Sequence, residues 1–104
     1  MKLKLISAAV AAMIAAAPAM AELTFTALSY RTGPYAANGI PFADGYQDYF
    51  TLLNERDGGI GGERVNLVEC ETGYNTEKGV ECYESTKGTG ALVYQPLSTG
   101  ITYQ

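Results

Sequence analysis

From Leu23 onward, segments with a two-residue apolar period alternate with segments of helical period, and this alternation limits the fold more than any other feature. Residues 23–28, Leu-Thr-Phe-Thr-Ala-Leu, alternate apolar and polar types and are rich in β-branched and aromatic side chains, which predicts a strand. The Ser-Tyr-Arg-Thr-Gly-Pro stretch at 29–34 ends it with turn chemistry. The next periodic segment, 41–54, places Phe42, Tyr46, Tyr49, Phe50 and Leu53 on one helical face suited to core packing, with Pro41 tolerated in the first turn and Gly45 allowing close approach to a sheet. The Asp-Gly-Gly-Ile-Gly-Gly run at 57–62 reads as a helix stop and a turn. It is no phosphate loop, because no Lys-Ser or Lys-Thr follows and it precedes a strand instead of opening a helix. A second strand is predicted at 64–70. Asn75 then caps a helix over 76–87, with Glu77 in its first turn and only Val80 and Tyr83 as sizeable apolar residues. Lys87 and Gly88 mark its end. Ala91-Leu92-Val93-Tyr94 is a short apolar run of the kind buried in a parallel sheet, and after a loop at 95–100 residues 101–104 open a third helix.

The order β-α-β-α-β-α defines the fold class: α/β, a partial three-layer, doubly wound parallel sheet with helices on its faces. Three strands ending inside a helix are expected to be the amino-terminal part of a longer domain.

Residues 1–21 read as a cleavable export signal. Lys2 and Lys4 form a basic start, an Ala-rich apolar core runs to Ala17, Pro18 breaks it, and Ala19-Met20-Ala21 is a cleavage site. The apolar core is too short to span a bilayer, and no second such segment follows, so no membrane span is expected in the mature chain. No Cys follows the cleavage site to carry a lipid. The mature chain then begins at Glu22, acts outside the cytoplasm, and keeps five basic residues against eleven acidic ones. That acidity leaves no footprint for nucleic acid and no polybasic surface for lipid.

Catalysis is not expected. The chain has no His, the commonest general base and metal ligand, no nucleophile beside an evident base, and nothing that calls for a cofactor or metal. Its two cysteines, Cys70 and Cys82, form an even pair in an oxidising compartment and are read as a disulfide, the alternative being two buried thiols.

Four motifs together carry a family resemblance. They are Leu28-Ser29-Tyr30-Arg31-Thr32-Gly33-Pro34-Tyr35-Ala36-Ala37-Asn38-Gly39 after the first strand, Asn54-Glu55-Arg56-Asp57-Gly58-Gly59-Ile60-Gly61-Gly62-Glu63-Arg64-Val65 into the second, Asn75-Thr76-Glu77-Lys78-Gly79-Val80, and Tyr94-Gln95-Pro96-Leu97-Ser98-Thr99-Gly100. In this order the chain resembles the branched-chain amino-acid (Leu/Ile/Val) binding proteins, type I periplasmic solute-binding proteins of ABC transporters. The resemblance implies two α/β lobes closing over a small ligand, residues 22–104 supplying the first part of lobe I. It also implies a periplasmic carrier that binds an amino acid, or a related carboxylate or amide, and delivers it to an inner-membrane ABC permease. The alternative is a ligand-sensing receptor or regulatory domain of the same fold.

In that family a serine hydroxyl and backbone N–H groups after the third strand hold the ligand carboxylate, and Ser98 and Thr99 stand there in this chain. Ser98 also fits as a helix N-cap, and both roles are compatible. The loop from Tyr30 to Asn38 is expected to line the cleft. Tyr35 can stack on a flat ligand, and Asn38 stands at the loop's end. Arg31 either points inward, pairing bidentately with a second carboxylate, or points outward as a surface charge. A Cys70–Cys82 bridge would pin the second helix to the sheet and offset its thin apolar face.

Overall fold

The first strand, β1 (Glu22–Ser29), lies at the centre of a three-stranded sheet of order β2-β1-β3, with β2 (Arg64–Glu71) and β3 (Val93–Gln95) both parallel to it. The computed structural model describes residues 22–104; the export signal read at 1–21 lies outside the described residues. A strand with neighbours on both edges and helices on both faces has no solvated side, and Thr26, Ala27, Leu28 and Ser29 are accordingly buried. The register runs from Glu22 opposite Arg64 to Ser29 opposite Glu71, and on the other edge pairs Phe25 with Val93 and Ala27 with Gln95.

Side chains alternate across the sheet, and this sorts the helices into layers. Phe25 meets Phe50 of α1 (Ala36–Asp57) edge to face at 5.3 Å, so the face of Phe25, Ala27 and Ser29 carries α1. Leu28 on the opposite face clusters with Cys70, Cys82 of α2 (Thr76–Thr86) and Ile101 of α3 (Thr99–Thr102). The three-layer α/β arrangement is the one expected from the alternation.

Helix α1 begins five residues before the position assigned to it and contains Pro41. The ring denies the Ala37 carbonyl its helical donor, but both residues are exposed and water can take that place. Its buried residues are Gly39, Ala43 and Phe50, whereas Phe42 and Tyr49 remain half exposed. The glycine of close approach is Gly39 and not Gly45. A Cβ on Gly39 would lie 1.9 Å from the carbonyl oxygen of Tyr30, while one on Gly45 would meet nothing within 4 Å. The carboxyl end is the expected glycine stop. The N–H of Gly58 bonds to the Asn54 carbonyl and that of Gly59 to the Leu53 carbonyl, a closure made by a left-handed glycine at position 58. A tight turn follows, with Gly61 and Gly62 both at positive φ between the paired Ile60 and Glu63. The Asn54 side chain brackets the outer edge of β2, its amide donating to the Val65 carbonyl and accepting the Val65 N–H, both at 2.8 Å. This occupies backbone groups that an edge strand would otherwise present.

Asn75 caps α2 as expected, its side chain accepting the Lys78 N–H at 3.0 Å. The face α2 turns inward consists of small residues, Gly79, Cys82 and Thr86, with Val80 and Tyr83 half exposed. The helix ends at Thr86 and tightens into a 3₁₀ turn over Lys87–Thr89, closed by left-handed Gly90. The Cys70–Cys82 disulfide is present, with Cα atoms 5.8 Å apart, and ties α2 to β2. Strand β3 is shorter than the predicted run, and Leu92 and Val93 are exposed, since among the described residues only β1 flanks it. Helix α3 starts two residues before the position read for it.

Candidate functional site

Helix α1 follows β1 on one face of the sheet, while α3 follows the adjacent β3 on the other. The connections therefore diverge at the carboxyl ends of β1 and β3 and leave a crevice between them, the position where open α/β sheets bind ligands. The loop 30–35 borders one side and 96–98 the other.

On the β3 side, Ser98 is extended and caps α3, its Oγ accepting the Ile101 N–H at 3.4 Å. A hydroxyl that accepts a bond still has its own O–H to donate. Thr99 beside it is exposed. Leu97, just before Ser98, sits at φ 53, a left-handed conformation that costs a branched residue energy and fixes the turn.

On the β1 side, Tyr35 and Asn38 belong to the start of α1: Tyr35 occupies the N-cap position and its carbonyl accepts the N–H groups of Asn38 and Gly39, each at 3.0 Å. The ring of Tyr35 is half exposed. Arg31 is engaged with the chain's own carboxylates. Its Nε reaches Glu69 Oε1, its Nη2 lies 3.2 Å from Glu69 Oε2, and its Nη1 lies 2.6 Å from Asp44. Ser29 at 2.6 Å and Gln47 also donate to Glu69. The guanidinium, followed by the Ser29 hydroxyl and the Gln47 amide, holds the Glu69 carboxyl below the usual carboxylate range against the opposing effect of burial. The guanidinium is held above its ordinary range by Glu69 and then by Asp44. The structure thus spends Arg31 on internal ion pairs beneath α1.

A second carboxylate joins the first loop to the loop after β2. Glu71 accepts the backbone N–H of Arg31 at 2.7 Å, the N–H and hydroxyl of Thr32, and the N–H of Gly73 at 2.6 Å. Gly33 lies so near that a Cβ on it would fall 2.6 Å from the Gly73 carbonyl. Behind them Thr72 is fully buried, giving both its N–H, at 2.8 Å, and its hydroxyl, at 2.9 Å, to the Ser29 carbonyl.

On this joined base Tyr74 stands at φ 63, its N–H held by the Thr72 hydroxyl at 3.1 Å. Its ring packs edge to face with Tyr30 at 4.9 Å and Tyr35 at 4.7 Å. Among the described residues, Tyr74 and Leu97 are the two non-glycine positions at positive φ, one in the loop after β2 and one in the loop after β3. Gly100, two residues past Ser98, has Thr76, two residues past Tyr74, beside it: a Cβ there would lie 3.1 Å from the Thr76 hydroxyl.

The structure therefore brings Ser98 and Thr99 to one side of the crevice and Tyr35 and Asn38 to the other, and directs Arg31 to Glu69 and Asp44. Sequence reasoning missed Tyr74, Glu69 and Glu71. One signal was present: Glu69 and Glu71 fall in alternate register with Val65 and Leu67, on the apolar face of the strand, where a carboxylate demands partners. Among the described residues no group of three or more potential ligands could hold a metal ion, and no helix is long and apolar enough to cross a membrane.

A parallel sheet with a crevice at its carboxyl ends defines a class of ligand-binding α/β proteins, and comparison with known proteins narrows it. Residues 22–102 match the family described as Periplasmic binding protein, and the chain belongs to that family. It is 33% identical over 103 residues to the Leu/Ile/Val-binding protein BraC3 of Rhizobium johnstonii, a match covering 97% of this chain and 28% of that protein. It also resembles a crystal structure described as an ABC transporter permease from the Pseudomonas fluorescens group, at 39% identity and a TM-score of 0.71, covering 77% of this chain and 20% of that one. The chain thus spans between a fifth and a third of the length of these relatives.

Proposed function

We propose that this chain forms the beginning of lobe I of the periplasmic substrate-binding component of an ABC importer, exported by residues 1–21 and acting by binding without catalysis. Its ligand is an amino acid or a related small carboxylate or amide, captured between two lobes and passed to a membrane permease. The observation that carries this reading is the crevice at the ends of β1 and β3, with the hydroxyls of Ser98 and Thr99 on one side and the first loop on the other, in a chain of the periplasmic binding protein family. These hydroxyls suit a ligand carboxylate because they donate hydrogen bonds without adding charge. Family membership and the Leu/Ile/Val-binding relative support an amino-acid-like ligand.

The test is calorimetric titration of the protein, purified as its host makes it, with the common amino acids, short amides and small aromatic acids. Saturable binding of at least one carboxylate in the micromolar range or tighter is expected. Absence of binding across the panel would overturn the reading.

A further inference from the structure

Resting on the proposed binding role, we propose that Tyr74 and Tyr35 form an uncharged aromatic wall of the ligand site, and that the ligand is a small carboxylate bearing a flat, neutral ring. Three observations lead there.

The first is the arrangement of rings. Tyr74 is the shared member of a herringbone, at 77° to Tyr30 and 62° to Tyr35, with all centroids within 5 Å of it. Tyr35 and Tyr74 nevertheless remain 51% and 38% exposed. Edge-to-face pairs of this spacing leave ring surface that one further ring extends with favourable geometry.

The second is rigidity. Tyr30 and Tyr35 are on one loop and Tyr74 on another, and Glu71, Thr72 and the Gly33–Gly73 backbone contact join the two. Tyr74 is held at positive φ, a conformation an aromatic residue keeps only where its surroundings impose it. A wall already in place loses little freedom when the ligand arrives.

The third is charge. Arg31 is engaged with Glu69 and Asp44, Glu69 also accepts from Ser29 and Gln47, and Glu71 is filled by backbone N–H groups of both loops. A ligand with a cationic or anionic side group finds no free partner on this wall, and burying an unpaired charge is costly. A neutral ring has no such requirement. Ser98 and Thr99, after β3, leave the carboxylate end its own donors.

The experiment compares benzoate and phenylalanine with leucine by titration calorimetry, using the protein as its host makes it and the variants Tyr74→Ala, Tyr74→Leu and Tyr35→Ala. Each variant's melting temperature is recorded as the control for folding. A ring-bearing carboxylate is expected to bind about tenfold more tightly than leucine, and Tyr74→Ala to remove most of that preference, as loss of an aromatic pair implies. Tyr74→Leu keeps bulk without a π-face and is expected to lose the preference. Leucine binding more tightly than both aromatic probes, or an unchanged preference in Tyr74→Ala and Tyr74→Leu, would overturn the inference and leave the binding role standing. Failure of all three probes to bind would overturn the inference, while the binding role is decided by the wider panel.

Discussion

Glu69 grips Arg31 through both carboxylate oxygens while also taking the hydroxyl of Ser29, so a strand residue, a loop residue and the strand end are bound at one point. The pair makes stability depend on pH in a definite direction. The folded-state pKa of Glu69 is depressed, chiefly by Arg31. Its contribution is therefore fully present above the unfolded glutamate value of about 4.3 and is lost as pH falls through the lower folded value. Thermal unfolding followed from pH 7 to pH 2 should show this loss setting in below about pH 4.3, and Glu69→Gln should flatten the acid limb. Some acid sensitivity should remain, because Asp57 is also lowered by Arg56. An identical acid limb in the variant would count against the assignment.

Two glycines of α1 should respond oppositely to alanine. At Gly39 the new methyl would overlap the Tyr30 carbonyl, which is backbone and cannot swing away. Gly39→Ala is expected to cost about 2–3 kcal/mol by overpacking. At Gly45 there is open space and ordinary helical backbone, so Gly45→Ala should stabilise by about 0.5–1 kcal/mol. Urea unfolding of the two variants measures both.

The Cys70–Cys82 bridge closes a short loop across a sequence separation of 12. By loop-closure entropy its removal should cost roughly 3 kcal/mol. The protein is expected to show no titratable thiol before reduction, and its urea midpoint should fall when a reductant is added. The double variant Cys70→Ser, Cys82→Ser should match the reduced protein and not respond to reductant.

Ser98 can act as a helix cap, as a ligand donor, or as both, and two substitutions separate these. Ser98→Asp keeps a good cap but places a negative charge where a ligand carboxylate would lie. Ser98→Ala removes the cap and the donor together, at about 1 kcal/mol for the cap. If Ser98 holds the ligand, the aspartate variant should retain its melting temperature and lose ligand affinity by about a hundredfold or more, since like charges at contact cost several kcal/mol. Unchanged affinity in Ser98→Asp would show that the residue only caps.

Much of the fold was legible because it depends on local rules. The strand over 23–28, the glycine stop after α1 and the Asn75 cap follow from period, backbone freedom and side-chain reach, all properties of adjacent residues. The register of the candidate site was legible in part, since Ser98 and Thr99 follow a strand and precede a helix wherever that strand lies. The packing faces were not. Sequence reasoning gives weight to large apolar residues such as Phe42, Tyr49, Val80 and Tyr83, whereas the structure turns Gly39, Ala43, Gly79 and Cys82 inward. The small residues win because helices approach the sheet closely there: Gly39 touches the Tyr30 backbone, Gly79 touches Ile101, and the disulfide draws α2 in.

By itself, then, the sequence determined the alternation of elements, their caps and stops, and which two cysteines could pair, because each rests on neighbours in the chain or on there being a single possible pair. Only the tertiary structure decided that Arg31 belongs to Glu69 and Asp44, that Glu71 joins two loops, and that three tyrosines from those loops meet at Tyr74. These contacts join residues as many as 44 positions apart along the chain, as in the Tyr30–Tyr74 pair. Periodicity carries no information about such partners, and only the parallel pairing of β1 with β2 brings them to the same end of the sheet.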